Sequence, residues 1–202
     1  NHQKNNFQIA ENLYKEILKS NPNHFESIFY LGSLLVQTQR FELAKPLLHK
    51  AIQINPNYAA VHSNLGAALK ELGEHQNAIN CCKKAIQINP NYAAAHNNLG
   101  IIFYELGEYQ KAIGCYEKAN QIKPDYANAH NNLGNVFKIL NDHQKAISCY
   151  QEALKLKPDL IIAQENISNI YISQLDNLEK AISVSYKALK IHHETSKFIN
   201  QR

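Results

Sequence analysis

Ten histidines and four cysteines are the side chains of this chain with the most reactive chemistry on offer. His62, His96 and His130 recur 34 residues apart, and Cys81, Cys115 and Cys149 do the same. Both kinds of site require convergence. Zinc ligands sit about 2.0–2.3 Å from one ion, and a disulfide needs Cα atoms about 4.4–6.8 Å apart. Residues one repeat apart on packed helices are separated by about 8–10 Å. The histidines are therefore expected to pack, and the thiols to stay free as small apolar fillers. Cys81 and Cys82 are neighbours on one helix and point different ways, and the His192–His193 pair has no third ligand near it. Free thiols favour a reducing, cytoplasm-like compartment. There is no Gly-rich phosphate loop, Ser/His/Asp arrangement or paired-carboxylate motif. No catalytic residue, metal or cofactor is assigned, and the chain reads as a non-enzyme.

A second set of residues offers binding rather than bond-making. Asn64, Asn98, Asn132 and Asn166 form one column at the same 34-residue interval, thickened by Asn97, Asn131 and Asn135 and extended by Asn128 and Asn169. Asparagine is a poor helix former, about 0.5–0.7 kcal/mol below alanine, so four at one helical column need a reason. A carboxamide both donates and accepts. It can pair with the N–H and C=O of an extended chain whatever that chain's side chains are. Tyr30 occupies the column in the first full unit, and Ile101 and Tyr104 would add apolar contact.

The elements that must position these residues are repeats. Prolines stand at Pro22, Pro56, Pro90, Pro124 and Pro158, and Leu-Gly at Leu31-Gly32, Leu65-Gly66, Leu99-Gly100 and Leu133-Gly134. Alanines keep the same interval at Ala44, Ala78, Ala112 and Ala146, and again at Ala51, Ala85, Ala119 and Ala153. Each unit reads as two helices. In 59–92, Asn57 is expected to cap the first helix. Val61, Leu65, Ala68 and Leu69 form its apolar stripe, and Gly73 ends it in a left-handed conformation. Ala78, Cys82, Ala85, Ile86 and Ile88 form the second stripe, and Pro90 closes the unit. Gly66 and Ala78 let the paired helices approach closely.

This pattern resembles the tetratricopeptide repeat (TPR) family, whose unit is a 34-residue helix–turn–helix with these Leu-Gly, Ala, Ala and Pro positions. The resemblance covers about residues 5–194. It implies an all-α fold, a TPR α-solenoid whose stacked helix–turn–helix repeats form a right-handed superhelix, with the first helix of each unit lining a concave groove. One column departs from the family pattern, holding Ile28, His62, His96, His130 and Gln164 where an aromatic is expected. The units fall at 25–58, 59–92, 93–126, 127–160 and 161–194. Residues 1–24 supply only a second helix. The unit 161–194 is degenerate, with an extra residue in the turn 174–177 that moves its alanines to Ala181 and Ala188. Residues 195–202 form a tail or start a further helix.

The expected function is non-catalytic: a protein-interaction module holding an extended peptide or partner segment in an Asn-lined groove. The repeat region also looks similar to that of the O-linked N-acetylglucosamine transferases, where an asparagine ladder holds protein substrates. That makes the recruiting arm of a larger enzyme one alternative. Another is self-assembly into a homo-oligomer through exposed terminal helices, since Ile9, Leu13 and Ile17 of the leading helix lack a partner. The family's chaperone-tail clamp is not matched, because its basic positions hold Phe29, Ser63, Asn97 and Asn131 on one side and Ala94 with Asn98, or Asn128 with Asn132, on the other. Groove charges are few and mixed (Glu26, Lys70, Glu71, Glu105, Lys138), which fits a neutral or mixed ligand.

Composition narrows the classes further. Of 202 residues, 45% are hydrophobic and 19% charged, with net charge +4. That is apolar enough for a packed core and too evenly charged for a nucleic-acid stripe. The tyrosines Tyr58, Tyr92, Tyr126, Tyr116 and Tyr150 are expected to pack in the core and between units rather than to stack bases. No stretch approaches the length of a membrane span. The chain lacks Met altogether and so does not begin at a translation start; it reads as a piece of something longer.

Overall fold

The structure, a computed structural model, describes residues 2–173, with side chains from residue 6 onward, and positions 182, 183 and 186. Among the described residues there are ten helices and no strand. They fall in two compact units, residues 1–106 and 107–202.

The first unit holds α1 (His2–Ser20), α2 (Phe25–Gln37), α3 (Phe41–Ile54), α4 (Ala59–Glu71), α5 (His75–Ile88) and α6 (Ala93–Glu105). Helices in contact are consecutive, or next but one where α2, α4 and α6 form a row of first helices. The alanine columns explain the close pairing. Ala44, Ala51, Ala78 and Ala85 are fully buried, and a side chain longer than methyl there would push the helices apart. The glycines are tighter still. A Cβ on Gly32 would lie 2.9 Å from Leu48 Cδ2, and one on Gly66 2.7 Å from Cys82 Sγ. Between neighbouring hairpins Ala59, Ala85 and Ala95 form a cluster covered by Ile86, Ile88 and Tyr92. An aromatic group fills the start of this unit: Phe29 and Phe25 meet Tyr58 edge-on at 5.1 and 5.3 Å, and Tyr30 stacks on Tyr14 at 6.0 Å. On α1, Ile9, Leu13 and Ile17 are 50%, 59% and 41% exposed.

The second unit holds α7 (Tyr109–Ile122), α8 (Ala127–Ile139), α9 (His143–Leu156) and α10 (Ile161–Ser173). Its core is Ala146, Ile147, Tyr150, Ala163, Ile167 and Ile170. A Cβ on Gly134 would stand 2.7 Å from Tyr150 Cε1, so the ring lies directly on the α8 backbone. Tyr116 and Tyr150 are core side chains.

Two local expectations are refined. The turn between the helices of a hairpin does need a left-handed residue, with φ 76° at Gly73 and 74° at Gly107. The same position is filled by Gln39 and Asn141, each at φ 59°. Asn57, by contrast, does not cap α4. The cap position is Tyr58, without a side-chain bond. The Asn57 N–H is taken instead by Asn55 Oδ1 at 3.3 Å, an Asx turn that shapes the linker before the helix starts. Asn21 and Asn89 do the same for Asn23 and Asn91. Ala181, Ala188, the turn 174–177, the His192–His193 pair and the tail 195–202 lie outside the described residues.

Candidate functional site

The asparagine column lies on the first helices, and its members differ in how much of each carboxamide the protein itself uses. Asn64 on α4 donates through Nδ2 to Ser33 Oγ on α2 at 2.8 Å. Asn98 on α6 donates through Nδ2 to Ser63 Oγ on α4 at 3.1 Å, with Ser63 O at 3.4 Å. Both are half-buried. Each thus ties its helix to the preceding first helix with one N–H. The Oδ1 acceptor of each takes no partner among the described residues, and Asn64 keeps its second N–H open as well, so at least two of the group's four hydrogen-bonding positions stay open.

In the second unit the group is more committed. Asn166 is 6% exposed. Its Nδ2 donates to Asn135 Oδ1 at 3.2 Å and its Oδ1 accepts from Lys138 Nζ at 2.6 Å. Asn135 Oδ1 also accepts from the Tyr150 hydroxyl at 2.8 Å. Asn132 is half-buried on α8. Asn97 and Asn131, expected beside the column, are 5% and 8% exposed, and Asn131 Oδ1 is buried with no hydrogen-bond partner. Among the apolar residues of the set, Tyr30 is 49% exposed, while Ile101 and Tyr104 are half-buried. The open hollow in this unit, bordered by Ile113, Phe137, Leu140 and the Asp142–Lys145 pair, has none of the column asparagines in its wall.

Charge on the first helices is mixed and largely self-compensated in the first unit. Lys70 bonds both Glu71 and Glu105, the latter at 3.1 Å. Burial pulls the Lys70 ammonium down, and the two carboxylates more than offset it, leaving it above the ordinary lysine value.

The histidine column carries a bond that spacing alone did not reveal. Nε2 of His62, His96 and His130 lies 2.8, 2.9 and 3.0 Å from the carbonyl oxygens of Pro56, Pro90 and Pro124. A carbonyl only accepts, so Nε2 carries the proton. Gln164 Nε2 donates to Pro158 O at 3.0 Å in the same place. The constant offset of six residues between these side chains and the prolines was the available signal. His62 and His96 are also buried, so the column both packs and ties each linker down. None of the four cysteines is in a disulfide. Burial pushes Cys81, Cys115 and Cys149 up to about 11, which leaves them as weak nucleophiles at neutral pH.

Helical hairpins that contact their sequence neighbours and present a row of amide side chains on their first helices define a repeat protein of the interaction class. Family models described as TPR repeat match residues 32–73 and 100–140, and models described as tetratricopeptide repeat match 59–92, 127–160 and 81–114. The crystal structure of MamA is 30% identical, covering 78% of this chain and 92% of that one, with a TM-score of 0.64. The chain belongs to the tetratricopeptide repeat family, and its fold is all-α. Two structures below 25% identity share the fold. TTC0263, a thermophilic TPR protein of Thermus thermophilus, is 20% identical, covers 85% of this chain and 93% of that one, and has a TM-score of 0.74. YrrB, titled a TPR protein with an unusual peptide-binding site, is 18% identical over 88% of this chain and 91% of that one, with a TM-score of 0.62. No curated protein sequence matches the chain. No catalytic family is indicated, and the repeat fold is generally a non-catalytic interaction module. Among the described residues no helix is long and apolar enough to cross a membrane.

Proposed function

We infer that the first helices of this chain bind an extended peptide segment of a partner protein, its backbone read by side-chain carboxamides. The observation that carries this reading is the part-used state of Asn64 and Asn98. One N–H of each is fixed by a serine of the preceding first helix, which holds the carboxamide in place. The open Oδ1 of each, with the second N–H of Asn64, supplies the acceptor and donor an extended backbone needs. Tyr30 stands at the same column one unit before Asn64 and offers an aromatic surface to the end of the ligand. Ile101 and Tyr104 flank Asn98 with apolar contact. In the second unit, considered by itself, Asn132 is the half-buried member of the same column, while Asn135 and Asn166 act mainly as supports because their oxygens are already engaged; Asn97 and Asn131, expected as contacts, are buried. The likeness to YrrB, described as a TPR protein with an unusual peptide-binding site, favours the same ligand class.

The test begins by selecting binders from a displayed library of random nine-residue peptides on the whole chain. The double variant Asn64→Ala/Asn98→Ala should bind the selected peptides about ten- to thirtyfold more weakly, the loss of two to three hydrogen bonds. The variant Ser33→Ala/Ser63→Ala, which removes the tethers and keeps the carboxamides, should lose less. Circular dichroism checks that both remain helical. Unchanged affinity in the folded asparagine variant would sink the reading.

A further inference from the structure

In the first unit, one pair of columns bridges each second helix to the next. Glu11 on α1 pairs with Arg40 at the start of α3. One repeat on, Lys45 of α3 pairs with Glu74 at the start of α5 at 2.5 Å. Two repeats further along the same columns, inside the second unit, stand Ile113 of α7 and Asp142 at the start of α9. Isoleucine has no charge to answer the carboxylate. Asp142 turns to its own helix instead, pairing with Lys145 at 2.8 Å and accepting from the Lys145 backbone N–H at 3.2 Å. The place that the bridge spans elsewhere stays open: Ile113 and Asp142 both border a hollow of about 720 Å³ between α7 and α9.

Phe137 and Leu140 of α8 give the hollow an apolar surface, and Gln110, Glu117 and Ser148 give it a polar one. Glu117 is exposed and has no hydrogen bond or ion pair among the described residues. The Cys149 thiol, also in the wall, is pushed up to about 11 by burial first and then by the charges of Glu117, Asp142 and Glu152. Two carboxylates of the wall therefore act on one spot, and Lys145 answers only Asp142. Gly114 lies four residues after Gln110 and three before Glu117, on the same face of α7. A Cβ on Gly114 would meet nothing within 4 Å. Packing inside the protein thus does not require this glycine, a residue that weakens a helix interior and lets a ligand come close to the backbone.

We propose that the hollow between α7 and α9 binds a basic segment of a partner protein, with an arginine or lysine held by Glu117 and Asp142 and an apolar neighbour on Phe137 and Leu140. The argument is charge complementarity. The ligand's cation does for Asp142 what Lys45 does for Glu74, and it supplies Glu117 with the partner it lacks. The aliphatic stem of a long basic side chain suits the apolar surface beside those carboxylates. The volume lies within the range of ligand sites, about 300–1,000 Å³. This site stands within the second unit and does not depend on the carboxamide reading of the first.

The experiment selects nine-residue peptides from a displayed library on the whole chain, with counter-selection on Ile113→Lys. That variant sets an ammonium against Asp142 as Lys45 stands to Glu74, and the counter-selection removes peptides that bind any other surface. The surviving peptides should carry Arg or Lys close to a large apolar residue. Exchanging the basic residue for Gln should weaken binding about three- to tenfold at low salt. Glu117→Gln should do the same, and both effects should shrink as salt is raised. Gly114→Leu, whose side chain enters open space, should abolish binding while circular dichroism and urea unfolding show an intact fold. A saturating peptide should slow alkylation of Cys149 by iodoacetamide at pH 9 about three- to tenfold, and leave Cys81, at the same column in the first unit, unchanged. No enrichment over the counter-selection overturns the proposal. Survivors without a basic residue, a basic preference that persists in Glu117→Gln, or equal protection of Cys149 and Cys81 also overturn it.

Discussion

A thiol's chemistry follows from its surroundings, and three cysteines of this chain share one environment. Burial raises Cys81, Cys115 and Cys149 from 9.0 to about 11. For Cys81 the Glu74 charge adds to burial, and for Cys149 the charges of Glu117, Asp142 and Glu152 do. The thiolate is the reactive form. Alkylation of the native protein by iodoacetamide at pH 8 should therefore run about a hundredfold slower at these three positions than in urea, a ratio read by mass spectrometry of the digested protein. The sign for stability is set by the same shift. Above pH 9 the unfolded thiols ionise while the folded ones do not, so stability falls as pH rises from 9 towards 11. Equal alkylation rates with and without urea would contradict the burial argument. The cysteine and asparagine columns were legible from the 34-residue interval alone. The bonds of the asparagines were not, because their partners sit in different columns: Ser33 and Asn135 in one, Ser63 in another. Periodicity locates a side chain on a helix, but the atom it spends depends on which short polar residue the preceding helix happens to offer. Asn97 and Asn131 show the same limit, since a residue at the edge of a helical stripe is buried or exposed according to the tilt of the neighbouring helix.

Helix pairs are held in register partly by charge. Glu11 on α1 bonds Arg40 at the start of α3 through both carboxylate oxygens and bonds Lys15 at 2.7 Å. One repeat later the polarity is reversed, with Lys45 donating to Glu74 at 2.5 Å. Later members of the Glu11 and Lys45 column are Ile79, Ile113 and Ile147. The Arg40 guanidinium, first by hydrogen bonding, and Lys15 after it hold the Glu11 carboxyl at about 2 against an ordinary 4.5. The folded form of this group therefore prefers the charged state. Its contribution is complete above about pH 4.5 and is lost as pH falls towards 2. Arg40 is 38% exposed, so solvent screening reduces the value of the pair to about 1–2 kcal/mol. Glu11→Gln should lower stability to urea by that amount at pH 7, and the gap to the wild type should close by pH 2 to 3. A gap that does not depend on pH would assign the loss to packing instead of charge. The helix boundaries of 59–92 were legible because glycine, proline and the apolar stripe agree there. The turn residues Gln39 and Asn141 were less so. They adopt the left-handed conformation of Gly73 and Gly107 without glycine's signature, since the close of the hairpin enforces the backbone there whatever residue occupies the turn.

At the scale of the whole chain, the governing fact is that contacts run between helices close in sequence. A globular core spreads a local defect through residues distant in sequence, whereas a stack of hairpins passes it only to neighbours. Gly134 offers a clean perturbation. A methyl there meets Tyr150 Cε1 at 2.7 Å and Cδ1 at 2.8 Å, and a buried ring cannot yield as a flexible side chain would. Gly134→Ala should cost about 1–3 kcal/mol through overpacking. Hydrogen exchange followed peptide by peptide shows where that cost is felt. Amides of α8, α9 and α10 should exchange about five- to a hundredfold faster than in the wild type, which is the exponential of the same energy. Amides of α2 to α5 should change by less than twofold, because those helices pack on their own neighbours in the first unit. Gly66→Ala, whose methyl meets Cys82 Sγ at 2.7 Å, should give the mirror image, with the change confined to α4, α5 and the helices beside them. Uniform acceleration along the chain in either variant would mean that the hairpins unfold as one cooperative body and that nearest-neighbour coupling does not describe this protein. If the two patterns separate as expected, opening one hairpin leaves the others formed.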